Sequence, residues 1–165
     1  MQRLSVLLAC LAVAAPACAG YDANGVPLGA PEQAVIQQFP SAHCRPLQWT
    51  SRAADRRCDD ARVVFAGVQA SITFYLKSAV VQAFDVRFES RNAPKVAAFL
   101  KSRYGAPVAE TRDKLGLDEK NPHDIYKVRW EQELDRAVLT AHMDRRRASL
   151  SVSRGNFEEE IYRVR

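Results

Sequence analysis

The sequence predicts a two-layer α+β domain: an antiparallel sheet with helices packed on one face, and a helix-plus-meander unit occurring twice (αβββ-αβββ). Three observations predict it. From Ala70 to Glu89 apolar and polar residues alternate with period two, the mark of half-buried strands, here folded as a hairpin with one apolar face. Two proline-framed segments, 31–40 and 92–107, have the spacing of short helices. Alternation then resumes beyond residue 125 in a second meander. A lone hairpin is marginal in water, so its apolar face needs a cover, and the two helices supply one.

The chain begins with Arg3, an apolar run from Leu4 to Ala15, and Ala17-Cys18-Ala19. A positive start, a short apolar stretch and an A-x-A site describe a secretory signal peptide over 1–19, cut before Gly20. Lipid anchoring at Cys18 is the alternative end of the same export route. About 146 residues remain, the size of one domain; they read as one α+β domain (20–165) with two pseudo-repeats, about 26–90 and 92–165. The formal net charge is +5, or +4 without Arg3. That surplus is spread along the chain and lacks the clustering of a nucleic-acid footprint. The expected location is the periplasm, with no transmembrane segment after cleavage.

Past the leader two cysteines remain, Cys44 and Cys58. In an oxidising compartment two cysteines on one small domain pair, and the loop of about 15 residues they close corresponds to about 3 kcal/mol of stabilisation. The competing reading takes His43-Cys44 and Cys58-Asp59 as metal ligands. Their spacing is unlike a C-x-x-C site, and neighbours on one strand point opposite ways, so no metal is expected.

Taken in order, Pro31 and Glu32 open the first helix and Pro40 closes it, with Ala34, Val35, Gln38 and Phe39 on one side. Strands follow at about 62–65, 69–76 and 80–88. Asn92 as N-cap and Pro94 in the first turn announce the second helix, with Val96, Phe99, Leu100 and Tyr104 facing inward and Gly105 ending it. Residues 108–124 read as a long loop. Strands at 125–131, 137–144, 148–153 and 157–164 complete the second half.

Leu28-Gly29-Ala30-Pro31-Glu32-Gln33-Ala34-Val35 resembles the helix entry, and Tyr104-Gly105-Ala106-Pro107 the helix exit, of the SmpA/OmlA (BamE-like) envelope lipoproteins. The pattern is also similar to the tandem modules of the β-lactamase-inhibitor-protein fold. The resemblance covers about a quarter of the chain. It implies an envelope protein that assembles or inhibits other proteins and uses no cofactor. The chain departs from it at the lipobox and in the loop between Cys44 and Cys58.

No G-x-S-x-G elbow, H-E-x-x-H helix or glycine-rich phosphate loop is present. His43, His123 and His142 are scattered. The sequence thus points to a periplasmic protein-binding module without catalytic activity: an inhibitor, immunity or envelope-assembly accessory protein. Its candidate interaction residues are Trp49 in the disulfide loop and Arg145-Arg146-Arg147 between two strands, where arginine forks suit an acidic partner. A solvated hairpin tip and a Trp49 plugged onto the sheet are the plainer alternatives. The other function class is a small-ligand-binding protein or enzyme with dispersed residues near His123 and Asp124.

Overall fold

The structure, a computed structural model, describes residues 20–163 except 116–122, with Leu115 and His123 described by backbone alone. The predicted signal peptide lies outside the described residues.

The chain enters as a two-residue ribbon, β1 (Asp22–Ala23) and β2 (Val26–Pro27). It is turned at Asn24 and Gly25, both at positive φ, and the Gly25 amide donates to the Asp22 carboxylate at 2.7 Å. Helix α1 (Glu32–Gln38) follows, then four strands: β3 (His43–Pro46), β4 (Arg56–Phe65), β5 (Val68–Lys77) and β6 (Val80–Phe88). A 3₁₀ turn at Ser90–Asn92 leads into α2 (Ala93–Tyr104). Four more strands come next: β7 (Ala109–Leu115), β8 (His123–Gln132), β9 (Asp135–His142) and β10 (Arg147–Arg154). Helix α3 (Phe157–Glu160) ends the described chain.

The other eight strands form one antiparallel sheet in the order β3-β4-β5-β6-β10-β9-β8-β7. Each half of the chain is a four-stranded meander, and the two halves join through their last strands. Ala148 to Ser153 of β10 pair with Phe88 to Ala83 of β6. The expected two-layer αβββ-αβββ class is therefore corrected: strand accounts for 51% of the described residues and helix for 19%, and a single eight-stranded sheet organises both halves.

Three local differences explain the correction. The expected loop at 108–124 contains β7, whose run Ala109-Glu110-Thr111-Arg112-Asp113 has no apolar alternation because it is an edge strand. Strand β3, the opposite edge, is likewise unmarked by any period. The expected strand at 157–164 is instead α3, consistent with Glu158-Glu159-Glu160, poor strand formers and good helix formers. Asn92 also makes no side-chain cap, having been drawn into the 3₁₀ turn.

The period-two pattern decides what each sheet face does. Phe74 and Leu76 of β5, Phe84 and Val86 of β6, Leu139 of β9 and Leu150 of β10 are fully buried on one side. Helices α1 and α2 and the β1–β2 ribbon cover them: Phe39 meets Phe74, Phe99 meets Phe65, and Tyr104 meets both Tyr21 and Trp130. On the other side a small cluster of Tyr75, Ala83, Ala54, Phe157 and Ile161 sits beneath α3 and the 47–55 segment. The helices are thus divided between the faces.

Two-residue turns tighten the first meander. Ala66-Gly67 and Ser78-Ala79 all have positive φ, the twist that matches right-handed strands.

Candidate functional site

Strand register sets which side chains share the second face of the sheet, because directly paired residues, and those two apart, project the same way. One row crosses it as Ser71, Arg87, Ser149, Thr140, Lys127 and Thr111. The next runs Thr73, Asp85, Ser151, Val138 and Arg129. At one end of the strands Arg147, His142 and Ile125 continue the pattern. Helix α3 and the 47–55 segment cover the Tyr75–Ala83 end, and among the described residues no element lies over the strip across β6, β10, β9 and β8. We call this strip the open face. It is rich in hydroxyls and cations, with Val138 and Ile125 as its apolar members.

Asp85 is the carboxylate at the border of the covered part. It accepts a hydrogen bond from the Ser151 hydroxyl at 2.6 Å, and the Tyr75 hydroxyl lies close by. Burial pushes its carboxyl above the usual carboxylate range, opposed by the Ser151 hydrogen bond and the nearby Arg87 charge. The Tyr75 hydroxyl is pushed up to about 12, first by burial and then by the Asp85 charge. A cleft of about 160 Å³ opens beside them under Phe157 and Ile161.

A second hollow, of about 360 Å³, lies at the uncovered end of the same strands. Arg87, Thr140, His142, Arg147 and Ser149 line it, with Phe88 and Ala148. The carboxylates nearest in sequence are engaged elsewhere: Glu89 with Arg91 at 2.7 Å, Asp144 with Arg145 at 3.4 Å.

The residues singled out from the sequence are dispersed. Cys44 and Cys58 are directly paired across β3 and β4 and form the disulfide. The metal alternative fails on donor chemistry: both sulfurs are in the S–S bond, Asp59 takes Arg45, Arg57 and Thr73, and nearby Glu32 is ion-paired with Arg56 at 2.9 Å. Trp49 is half-buried. Its indole N–H donates to the Ile161 carbonyl at 2.9 Å and its ring stacks on Tyr162, so it clasps the C-terminal segment to the sheet.

The arginine triplet is split by the turn. Arg145 pairs with Asp144, Arg146 adopts positive φ while its carbonyl accepts from Ser90 N–H, and Arg147 enters β10 and reaches the open face. Of the site near His123, the His123 side chain is outside the described residues, and the Asp124 carboxylate is held by Arg112 at 2.9 and 3.0 Å. The hydrogen bond and charge of Arg112 keep that carboxyl below its usual range.

Sequence reasoning missed Arg87, Thr140 and Ser149 as neighbours of Arg147. Their period-two positions place each on the polar side of its strand. The pairing of β6 with β10, which brings them together, leaves no local signal. Comparison with protein families, curated proteins and solved structures finds no match.

Proposed function

We propose that the chain is an exported, periplasmic protein-binding module without catalytic activity, which docks another envelope protein on the open face of its sheet. The single observation that carries this reading is the uneven cover of that face. One end is sealed by α3 and the Trp49 clasp, while the strip through Ser149, Thr140 and Lys127 has no cover among the described residues and carries a surplus of cations. A broad, shallow, polar sheet surface with apolar points at Val138 and Ile125 suits a protein surface better than an engulfed small molecule. The likeness of the two helix-end motifs to SmpA/OmlA-type proteins leads to the same class. Inhibitor, immunity factor and assembly accessory are its members, and the cationic surplus favours an acidic partner.

The reading is tested by placing a photo-crosslinking residue at Thr140 or Lys127, with Lys95 of α2 as the control on the opposite side. Ultraviolet exposure of an expressing bacterium is expected to yield a discrete crosslinked protein from the first two positions. Identical products from Lys95, or none from either open-face position, would sink it.

A further inference from the structure

We propose that the hollow between Arg87, Arg147 and His142 is an oxyanion-binding site whose occupant is a side-chain carboxylate of the docked protein. This rests on the open face being the docking surface and names what that surface recognises.

Arg87 on β6 lies opposite Ser149 on β10, Arg147 is two residues from Ser149 on the same strand, and His142 lies opposite Arg147. The two arginines are therefore diagonal neighbours on one face, with the Thr140 and Ser149 hydroxyls beside them and exposed Lys127 opposite Thr140. Like charges at such positions repel. Several arginines elsewhere are neutralised, as in the pairs Arg103–Asp22, Arg112–Asp124 and Arg154–Asp135. Arg87 and Arg147 enter no ion pair among the described residues: Asp85, near enough for its charge to feel Arg87, accepts from Ser151, Glu89 pairs with Arg91, and Asp144 with Arg145.

The hollow thus has the charge, the hydroxyl donors and the guanidinium forks that match a carboxylate, and it is open to solvent. An opening of that kind admits a side chain reaching in from another surface. A flat anionic membrane is a poorer match, because exposed Glu131 lies on the same face of the sheet, two residues from Arg129, and would be pressed against it.

The test is an amide-resolved NMR titration of the protein with a hexaglutamate peptide, with inorganic phosphate and phosphatidylglycerol vesicles as separate arms. Hexaglutamate is expected to shift the amides of Arg87, Thr140, His142, Arg147 and Ser149 saturably. The affinity should fall at least about fivefold in Arg87→Ser/Arg147→Ser, as loss of charge-assisted hydrogen bonds requires. Ser149→Glu, which sets a carboxylate in the hollow while keeping both arginines, should weaken the peptide similarly. No shift at these amides, shifts surviving both variants, or a response to phosphate or vesicles but not to the peptide would overturn the proposal. Crosslinking at Lys127 separates the two readings. An undiminished product in the double-arginine variant overturns the carboxylate site and leaves docking standing, whereas loss of the product there supports both.

Discussion

Asp22 shows how much one side chain can be asked to hold. It is 7% exposed, accepts the Gly25 amide, and takes Arg103 at 2.6 Å while its carbonyl accepts the Tyr104 hydroxyl. Arg103→Ala leaves a buried carboxylate short of its cation and is expected to cost about 1–3 kcal/mol by urea unfolding. Because Arg103 is 42% exposed, water recovers part of the loss and the lower half of that range is expected. Asp85 gives a pH signature. Its carboxyl is raised by burial, so the folded state binds its proton more tightly than the unfolded chain. That contribution is fully present below the ordinary carboxylate pKa and is lost as pH rises through the raised value. Asp85→Asn should therefore melt higher than wild type at neutral pH, with the gap closing as the pH falls into the carboxylate range. A gap that widens on acidification would refute the assignment. Neither residue was legible in the sequence: Asp22 sits in a polar stretch without period, and Asp85 reads there as one more solvent-facing strand position.

At the scale of elements, the two edges of the sheet are handled differently. Strand β7 is guarded by charge, its Glu110 paired with Lys101 at 2.7 Å and its Arg112 with Asp124, which discourages pairing with another chain. Strand β3 is short, ends in Pro46 and is stapled to β4 by the disulfide. Cys44→Ser/Cys58→Ser is expected to lower stability by about 2–4 kcal/mol, seen as a fall in melting temperature that reductant reproduces in wild type and does not deepen in the variant. Helix α3 has four residues and owes its place to what it touches: Phe157 on Tyr75, and the Trp49 clasp. Trp49→Phe removes the indole donor and should cost about 1 kcal/mol, with faster hydrogen exchange confined to residues 157–163. Uniform acceleration across the sheet would show that the clasp is not local. The strongly alternating strands and the helix ending at Gly105 were readable in advance. The edges were not, because a strand with one neighbour and little burial has no reason to alternate.

For the molecule as a whole, the seam between β6 and β10 is the defining contact. Leu150 lies between Val86 and Leu139, all three fully buried. Leu150→Ala is expected to cost about 2–5 kcal/mol, whereas Leu134→Ala, at a turn and 74% exposed, should stay within about 0.5 kcal/mol. Period two announces that strands exist and which side is wet. It does not say which strand lies beside which, and for that reason both the eight-stranded sheet and the hollow between Arg87 and Arg147 were out of reach of the sequence. The same seam governs the order in which the protein can be completed during synthesis. When the first 104 residues have emerged, β6 has its Ala83–Phe88 border unpaired, and it stays so until Arg147–Arg154 arrive. A nascent or truncated chain therefore offers a sticky border the finished one has closed, and two such fragments can zip together along it. Fragments ending before residue 147 are expected to dimerise and aggregate, making the last strand as much a safeguard as a structural part.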